Sequence, residues 1–535
     1  MALSTPRGRK RIPLVVRGTP PSSRPEARER HSALHDTLAP HPLANPPTPF
    51  TTCHSGTTQV FRELFQLTPM HLSTPRHLPP LDAGFRPAAL WNAAYRKLVD
   101  KDPGSHELHL ALSRKDGTTF HHRLRILPHH SQNIELNRRY VERALKFLLW
   151  MKGGSAVHVA GNEEVASLLS EIYCEDGARG FDRDMVGRKI FDDPISITAC
   201  LAEELPPASE ASMTLGRNLD GCRIGFDLGG SDRKAAALID GEVVFSEEIP
   251  WDPYFQSDPA YHLSGIRETL QRAASHLPRV DAIGGSAAGI YLNSEVRAAS
   301  LFRGIRDPAI FDSEVRPIFT NLQREWGGIP FVVINDGEVT ALAGSMSMNA
   351  HAVLGISMGT SLAAGYCTPD GGITPWLNEL AFAPVDYRED APADEWSGDI
   401  GCGVQYFSQQ GVARLAPAAG LDFGSMPFPD QLVEVQKAMA EGHEGARLVY
   451  ETIGICFGYT IAHYAEFYEI ENLLILGRVT SGEGGELILE KASKVLQDEF
   501  PDLGDRIRMS TPDEHMKRHG QAVAAASLPA LPESR

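Results

Sequence analysis

The stretch that decides the fold reads Cys222-Arg-Ile-Gly-Phe-Asp-Leu-Gly-Gly-Ser231 and continues as Lys234-Ala-Ala-Ala-Leu-Ile239, with a turn at Asp240-Gly241. Its apolar runs are short and are separated by small residues, which predicts buried strands joined by tight turns. A third strand is predicted from Glu242 to Ile249. The stretch therefore predicts a strand, a small-residue turn, a second strand and another glycine-bearing turn.

The same pattern returns later in the chain. Ala352-Val-Leu-Gly-Ile-Ser-Met-Gly-Thr360 is followed by Leu362-Ala-Ala-Gly-Tyr-Cys367 and by a turn at Asp370-Gly371-Gly372. Each copy again predicts a strand, a turn, a strand and a turn. Two copies of one supersecondary unit, about 130 residues apart, indicate a duplicated α/β fold with a cleft between its halves.

The first turn sets an acidic residue beside two glycines. Asp227 stands at the end of a hydrophobic strand, and Gly229 and Gly230 let backbone amides approach a ligand, as in sites that hold a phosphate without a charged side chain. The carboxylate of Asp227 would hold Mg²⁺, directly or through water, because this ion keeps several waters and is shared with substrate phosphates. Taken alone, the motif is equally consistent with an ordinary turn.

Two further glycine-bearing segments follow. The turn Ser357-Met-Gly359-Thr360-Ser361 offers a matching set of amides and two hydroxyls, and two facing phosphate turns are more specific than one. The strand from Asn472 to Gly477 leads through Gly482 into a helical run. A glycine-rich step at a helix N-terminus suits an adenine ring and its ribose, although by itself it is no better than a loop.

An acidic residue also follows the apolar run Phe331-Val-Val-Ile334, where Asn335 and Asp336 come next. An aspartate at a strand end that opens onto a cleft can accept the proton of an attacking hydroxyl, which is the part of phosphoryl transfer that needs a base. The alternative is that Asp336 caps the helix that begins after it, and one residue can serve both purposes.

Composition excludes some classes of function. The chain has 535 residues, of which 42% are hydrophobic and 22% charged, and its formal net charge is −17. This charge argues against general attraction to a nucleic-acid backbone. No apolar run approaches the roughly 20 residues that span a bilayer. Seven cysteines are scattered without a CxxC pair, and no secretory signal is recognisable, so we predict a cytoplasmic protein without membrane partners.

Four segments are predicted along the chain. Residues 1–85, rich in proline, histidine and basic residues, are predicted to be a disordered tail. Residues 86–215 are predicted to form a small mixed α/β domain, which begins with a hairpin and ends in a linker. The hairpin contains Leu108, Leu110 and Leu112, then the turn Asp116-Gly117, then Leu124 and Ile126. Residues 216–340 and 341–535 are predicted to be the two lobes of the duplicated fold.

These motifs resemble the ROK family (repressors, open reading frames and sugar kinases) of the actin and hexokinase superfamily. The resemblance covers residues 221–527, and the motifs follow the family's order. Asp227-Leu-Gly-Gly-Ser231 is similar to the first phosphate motif, Gly359-Thr360 to the second, and Leu476-Gly477-Arg-Val479 with Gly482 to the adenosine motif. The resemblance implies a duplicated actin-like (ribonuclease H-like) ATPase fold in two lobes, behind the small N-terminal α/β domain.

The resemblance also implies roles for particular residues. Asp336 matches the catalytic base, Asn335 matches a neighbouring sugar contact, and residues 286–290 with 296–301 resemble the segment that lines the sugar pocket. With Mg²⁺ on Asp227, the predicted catalytic residues are Asp336 and Asp227. The predicted ATP-binding residues are Gly229, Gly230, Ser231, Lys234, Gly359, Thr360, Ser361, Gly477 and Gly482. The predicted acceptor-binding residues are Gly289, Ser300, Asn335 and Glu379.

The chain departs from the family where zinc would bind. The family's Glu-x-Gly-His element appears as Glu379-Leu-Ala-Phe382, and its CxCGxxGC loop appears as residues 395–402, which keep only the last cysteine. A structural zinc site needs about four N or S ligands, so we expect none. The family's pocket asparagine appears as Ser300. Residues 86–215 show no winged helix-turn-helix, which weakens the interpretation as a DNA-binding regulator.

Three functions are compatible with these motifs. The first is an ATP- and Mg²⁺-dependent kinase that phosphorylates a hydroxyl of a sugar or sugar-like molecule. The second is a non-catalytic sugar sensor or transcriptional regulator. The third is plain ATP hydrolysis coupled to assembly, which would leave Glu379 and Asn335 without a purpose. We favour the kinase, with a small sugar-like partner, no nucleic-acid partner and a homo-oligomeric state. The sequence does not identify the acceptor or the role of residues 86–215.

Overall fold

The computed structural model of the protein describes residues 70, 72–210, 215–512 and 520–532. Residues 1–69 of the predicted tail lie outside these ranges. Within them, no helix is long and apolar enough to cross a membrane. All six cysteines that are described are free thiols.

The first part of the described chain forms the N-terminal domain, a four-stranded sheet with helices. Its elements are α1 (Ala88–Lys101), β1 (His106–Ser113), β2 (Thr119–Ile126), α2 (Ile134–Met151), β3 (Ala156–Ala160), α3 (Glu163–Ile172), the short α4 (Gly180–Asp182) that continues as a π-helix (Arg183–Ile190), and β4 (Ser196–Cys200). The strand order is β2-β1-β3-β4. The predicted hairpin is confirmed, since Leu108 lies opposite Leu124 in an antiparallel pair.

Local sequence explains these elements. Leu108, Leu110 and Leu112 alternate along β1 and are all buried, as expected of a strand with one face on a core. Asn162 caps α3 because its side chain accepts a hydrogen bond from the amide of Val165 at 2.9 Å. Helix α2 is buried along most of its length, including Trp150. It therefore lies between the sheet and the rest of the protein.

The predicted tail extends too far toward the C-terminus. Phe85 is buried, and the carboxylate of Asp82 pairs with Arg388 at 2.7 Å and with Arg414 at 2.8 Å. The amide of Leu81 donates to the hydroxyl of Thr452 at 3.1 Å. This segment is thus packed against the C-terminal part of the chain, because its few apolar and acidic residues find partners that are distant in sequence.

The N-terminal lobe is built around a five-stranded sheet. Its elements are β5 (Cys222–Leu228), β6 (Asp232–Ile239), β7 (Glu242–Pro250), α5 (Pro259–Ala274), β8 (Ala282–Ala287), β9 (Ile290–Leu292), β10 (Glu295–Ala298), α6 (Pro308–Ile310) with a following π-helix (Phe311–Val315), α7 (Ile318–Glu325) and β11 (Phe331–Asn335). The strand order is β11-β8-β5-β6-β7. Strands β5 and β6 are antiparallel, whereas β5, β8 and β11 run parallel.

The C-terminal lobe repeats this arrangement. Its elements are α8 (Asp336–Met348), β12 (Val353–Met358), β13 (Leu362–Cys367), α9 (Gln409–Leu415), α10 (Phe428–Ala440), α11 (Glu444–Tyr464), β14 (Asn472–Leu476), α12 (Glu483–Glu499), α13 (Pro501–Arg506), β15 (Arg508–Ser510) and α14 (Gln521–Ala526). The strand order is β13-β12-β14-β15, with β12 and β13 antiparallel and β12, β14 and β15 parallel.

The two sheets share one topology, which confirms the predicted duplication. In each, the first strand forms an antiparallel hairpin with the second, and two later strands add in parallel on its other side. This is the ribonuclease H-like order that we predicted for an actin-like fold. Helix α14 then returns to the first sheet, where Gly225 and Gly284 leave no room for a Cβ beside the carbonyls of Ala522 and Ala525.

Candidate active site

Asp227 is the penultimate residue of β5 and is buried. The hydroxyl of Ser286, on the neighbouring strand β8, donates to its carboxylate at 2.6 Å. Burial raises the pKa of Asp227 to about 6, and the nearby carboxylate of Asp336 acts in the same direction. Lys234, directly opposite Asp227 on β6, acts in the other direction. The strand end therefore presents an acidic group whose charge is only partly neutralised.

Asp336 is the first residue of α8 and comes directly after β11. The cap of this helix is Asn335, whose side-chain oxygen accepts a hydrogen bond from the amide of Gly337 at 2.7 Å. The alternative role predicted for Asp336, as the helix cap, thus belongs to its neighbour, although its carboxylate also accepts from Gly337 at 3.0 Å. Burial raises the pKa of Asp336 above its ordinary value.

Three acids lie on adjoining elements where the lobes join. Asp227 comes from the N-terminal lobe, whereas Asp336, at the start of α8, and Glu379 come from the C-terminal lobe. Burial raises the pKa of Glu379 to about 7, and the charge of Asp336 contributes. Asp336 therefore acts electrostatically on both of the other acids. The structure brings together the two predicted catalytic residues and one predicted acceptor-binding residue.

Sequence reasoning missed a fourth acid, Glu338. Its side chain is 5% exposed, and burial raises its pKa to about 8, with a further contribution from Glu379. Asn378 donates to its carboxylate at 3.2 Å, and the hydroxyl of Tyr468 donates to Asn378 at 2.8 Å. The only available signal was the spacing of Asp336-Gly-Glu338 at a helix start, which indicates helix as readily as a site.

The first glycine turn joins β5 to β6. Its amide at Gly229 donates to the carbonyl of Asp232 at 3.0 Å, and no described group accepts from the amide of Gly230. The space that a Cβ of Gly229 would enter is open apart from Asp232, so a ligand can approach there. At Gly230 the corresponding space is filled by the hydroxyl of Tyr254. Only Gly229 therefore leaves the open approach that the sequence predicted for both glycines.

The polar residues of this turn are partly occupied. Ser231 donates to Asp232 at 2.8 Å, and the ammonium group of Lys234 lies 3.5 Å from the same carboxylate. The indole of Trp251 donates to the carbonyl of Gly229 at 2.8 Å. Trp251 thus supports the backbone of the turn.

Tyr254 and Arg303 were also missed. The guanidinium of Arg303 lies over the ring of Tyr254 at 4.1 Å and over the ring of Phe255 at 4.9 Å. Since Tyr254 contacts Gly230, the exposed cation of Arg303 stands beside the first glycine turn. No sequence pattern links these residues, because the contact joins two loops that are far apart along the chain.

The second glycine turn joins β12 to β13 and contains Gly359, Thr360 and Ser361. The amide of Gly359 donates to the carbonyl of Ser361 at 2.9 Å, and its own carbonyl accepts from the amide of Gln409. A Cβ at Gly359 would meet only one atom within ordinary contact distance, and among the described groups none accepts from the amide of Thr360. This turn therefore offers both space and a free amide.

The third glycine segment follows β14. Gly477 has a φ of 105°, a value that favours glycine, and packs against the backbone of Met358 at the end of β12. Gly482 has a φ of 71°, precedes α12 and has nothing within 4 Å of its Cβ position. Gly477 thus ties the third segment to the second turn, and Gly482 leaves an open surface at a helix start.

The remaining acceptor-binding candidates are Gly289 just before β9, Ser300 just after β10, and Asn335 at the end of β11. The side-chain amide of Asn335 donates to the carbonyl of Gly289 at 2.7 Å, so these two residues are in direct contact. Gly289 has a φ of 135° and no room for a Cβ against Ala299. Ser300 is exposed and follows Ala299 directly. His262 is buried and its ring nitrogen lies 2.9 Å from the carbonyl of Leu301, which supports this segment.

The positions where the family carries zinc ligands have other contacts. The ring of Phe382 stacks on Trp150 of α2 with centroids 4.2 Å apart, and burial raises the pKa of the Cys402 thiol. Within the described ranges, no group of three His, Cys, Asp or Glu side chains is placed to hold a metal ion. Mg²⁺ shared with phosphates needs only one or two carboxylates, so the role predicted for Asp227 does not depend on such a group.

Comparison with protein-family profiles and with curated proteins finds no match. The chain is similar to solved structures of the ROK family. A ROK transcriptional regulator, a homologue of the E. coli Mlc protein, is 20% identical, with 58% of this chain and 78% of that chain covered and a TM-score of 0.46. A ROK hexokinase from Thermus thermophilus is 18% identical, with 57% and 97% covered and a TM-score of 0.45.

A third similar structure is a ROK glucokinase from Streptomyces griseus in complex with glucose and AMPPNP. It is 20% identical, with 58% of this chain and 99% of that chain covered and a TM-score of 0.42. The strand order of both lobes independently confirms the predicted fold class. In its motifs the chain resembles the ROK family, and the strand order of its two lobes is that of a duplicated ribonuclease H-like fold.

Proposed function

We propose that the protein transfers the terminal phosphoryl group of ATP, with Mg²⁺, to a hydroxyl of a sugar or sugar-like acceptor. The observation that carries the proposal is that Asp227 and Asp336 lie at the same edge of one sheet, because β5 and β11 both pair in parallel with β8. Glu379 comes close to them because its neighbour Asn378 bonds to Glu338, two residues after Asp336. Two strand-to-strand turns that leave approach space, at Gly229 and Gly359, lie at the ends of the first strands of the two lobes. Acids beside phosphate-sized turns suit phosphoryl transfer.

In this proposal Asp336 accepts the proton of the attacking hydroxyl. The start of α8 fixes the backbone of Asp336. The cap of this helix is Asn335, whose side-chain oxygen accepts from the amide of Gly337. A base must be deprotonated to act, and burial raises the pKa of Asp336. The rate should therefore rise with pH through a pKa above that of an ordinary aspartate.

Asn335 and Glu379 would bind the other hydroxyls of the acceptor. Asn335 already bonds to Gly337 and Gly289, which leaves one amide hydrogen and one lone pair for a ligand. Glu379, in the same lobe as α8, is close enough to Asp336 for that charge to raise its pKa. Several carboxylate and amide groups around one position favour a polyol over an apolar molecule.

Asp227, with the turns at Gly229 and Gly359, fits a metal-bound triphosphate. Mg²⁺ neutralises charge on the phosphates when it is bound. The free amides at Gly230 and Thr360 would donate to phosphate oxygens, with Ser231, Lys234 and Ser361 nearby. Gly477 and Gly482 would lie against the adenosine. Tyr254 occupies the Cβ side of Gly230, so this arrangement needs the phosphate to approach the amide of Gly230 from another direction.

A second candidate is a sensor that binds a sugar without turnover. The observation that favours it is the stacking of Phe382 on Trp150, at the position of the histidine in the family's Glu-x-Gly-His element, which binds the sugar. Such a protein would keep Glu379 and Asn335 as ligand contacts, and Asp336 would have no catalytic task. The two candidates differ in one measurable outcome, the formation of ADP.

The test uses the full chain with Mg²⁺-ATP and a panel of hexoses, N-acetylhexosamines and polyols. We expect ADP only with a matching acceptor, and a loss of about 100-fold or more in Asp336→Asn, the scale of a general base. Asp370→Asn, in an exposed turn that tolerates asparagine, is the matched control. Full activity in Asp336→Asn would refute the base assignment. A sugar that raises the melting temperature without ADP would establish the sensor.

A further inference from the structure

The N-terminal domain holds the segment that carries Glu379. The amide of Glu379 donates to the carbonyl of Trp150 at 2.9 Å, and the amide of Asn378 donates to the carbonyl of Met151 at 3.0 Å. Both carbonyls belong to the last turn of α2, where a helix has no partners of its own for them. The end of this helix therefore fixes the backbone of one acceptor-side element of the C-terminal lobe.

A buried ionic network anchors the same helix to the C-terminal lobe. Lys146 of α2, which is fully buried, pairs with Asp182 at 3.0 Å and with Asp399 at 2.9 Å. Asp399 also pairs with Arg143 at 3.0 Å and with Arg179 at 2.8 Å. Since Asp399 belongs to the C-terminal lobe and its partners to the N-terminal domain, the network joins the two firmly.

The N-terminal domain also holds the acceptor-side element of the N-terminal lobe. Asp192 follows the π-helix and pairs with Arg297 of β10 at 2.7 Å and with Arg316 at 2.7 Å. Both arginines pair in addition with Glu295 of the same hairpin. Asp192 has a φ of 61°, in the left-handed region, and its side chain reaches the lobe through these ion pairs.

Apolar contacts support both attachments. Ile290 and Leu292 of β9 pack against the core of the N-terminal domain, as do Leu377 and Phe382 of the C-terminal lobe. Gly289, next to Ile290, accepts from Asn335, and Leu377 precedes Asn378 and Glu379. The domain thus contacts, from one side, the residues that flank the acceptor candidates of both lobes.

We infer that the N-terminal domain is the third wall of the acceptor site, with Asp192 as a positioning residue for the β9–β10 hairpin and the end of α2 as the positioning element for Glu379. The inference rests on the proposed function, because it assigns these elements to acceptor binding. It gives the domain the task of setting the spacing between Glu379 and Gly289. Asp192 touches no reacting group and acts only through the hairpin.

The test compares Asp192→Asn with Asp193→Asn. Asn keeps the left-handed backbone but removes the charge that bridges to the lobe. Asp193 pairs with Lys115 at 2.8 Å inside its own domain, so its variant loses an ion pair without crossing to the lobe. Both side chains are partly exposed, and neither change leaves a charge buried alone.

We expect Asp192→Asn to raise the KM for the acceptor about three- to tenfold, the scale of a few partly exposed ion pairs. Its kcat and its KM for ATP should stay within about twofold of the wild type, as for a change in uniform binding. Amide hydrogen exchange of residues 290–298 should accelerate in Asp192→Asn and not in Asp193→Asn.

The readouts separate the inference from the proposed function. Should the wild type turn over no acceptor, the kinase proposal fails, while hydrogen exchange still decides whether Asp192 holds the hairpin. Equal exchange of residues 290–298 in the two variants would overturn the inference. In an active enzyme, equal acceptor KM values for the two variants would overturn it as well. An equal rise in the KM values of Asp192→Asn for acceptor and for ATP would also overturn it, because this result would show a general structural effect.

Discussion

The buried acid Glu338 offers a prediction whose size follows from the structure. It is hydrogen-bonded by Asn378 and lies near Glu379, and burial raises its pKa from 4.5 to about 8. The folded protein therefore keeps this group protonated at neutral pH, whereas the unfolded chain ionises it. Glu338→Gln keeps the shape and the acceptor for Asn378 but cannot ionise.

The sign and size follow from proton linkage. An acid whose folded pKa is raised stabilises the protein fully below the unfolded pKa, here 4.5, and this stability is lost as pH rises toward 8. Ionisation of the unfolded chain lowers the free energy of unfolding by about 1.5 kcal/mol at pH 5.5 and by about 4.5 kcal/mol at pH 8. Glu338 alone thus costs about 3 kcal/mol between these pH values, or about 2 kcal/mol with a folded pKa of 7.

The wild type by itself does not isolate this effect. Burial lowers the pKa of His122 and of His463 to about 4. The stability that these neutral histidines contribute is lost as pH falls through 6.5, whereas the contribution of Glu338 is lost as pH rises. The quantity to compare is therefore the difference in unfolding free energy between Glu338→Gln and the wild type. We expect this difference to shift in favour of the variant by about 2 to 3 kcal/mol from pH 5.5 to pH 8.

Urea unfolding at the two pH values, followed by tryptophan fluorescence, measures the shift. Glu490→Gln is the control, because this carboxylate is 68% exposed and only pairs with Lys491 at 3.4 Å. A difference between Glu338→Gln and wild type that stays the same at both pH values would refute the reasoning. It would mean that Glu338 is already ionised in the folded protein.

Two further variants test other contacts. Arg303→Ala should lower kcat/KM for ATP about tenfold and leave the acceptor KM unchanged, because a cation beside a phosphate turn acts on the triphosphate. The control is Arg324→Ala, at another exposed arginine. An unchanged kcat/KM for ATP in Arg303→Ala would contradict this prediction. Asp399→Asn should lower the unfolding free energy by about 3 to 5 kcal/mol, since it leaves buried cations short of a partner. Asp184→Asn, at an exposed ion pair, should change it little, and equal losses would contradict the role of the network.

Much of the fold was predictable because it is written in local patterns. The strands on either side of Gly229 and of Gly359 are short apolar runs broken by small residues, and periodicity identifies such strands without knowledge of their partners. The copy at residues 352–372 then supplied the topology, because duplication implies the same strand order twice. Asp227 and Asp336 were found for the same reason, as acids directly after such strands.

The remainder depends on contacts between distant residues. Asp192 meets Arg316, and Asn378 meets Glu338, across separations for which no short motif exists. Tyr254 over Gly230 is a similar case, because the missing Cβ of this glycine makes room for the tyrosine hydroxyl, a packing reason that the sequence did not indicate. The segment around Asp82 was assigned to a tail because its composition is poor in apolar residues, yet its ion pairs with Arg388 and Arg414 fix it in place.

The acids of the site and the docking of the N-terminal domain have a common physical logic. Four carboxyl groups with raised pKa values lie on adjoining elements. Among the described cations, the charge of Lys234 lowers the pKa of Asp227 and that of Arg114 lowers the pKa of Glu338. Above neutral pH these carboxyl groups ionise and repel one another, which lowers the stability of the ligand-free protein. A bound cation offsets this repulsion and stabilises the protein. Elements that carry like charges have to be held by contacts outside the cluster. The carbonyls at the end of α2 and the network around Asp399 supply those contacts for Glu379, so the stability of the N-terminal domain becomes a condition for the geometry of the acceptor site.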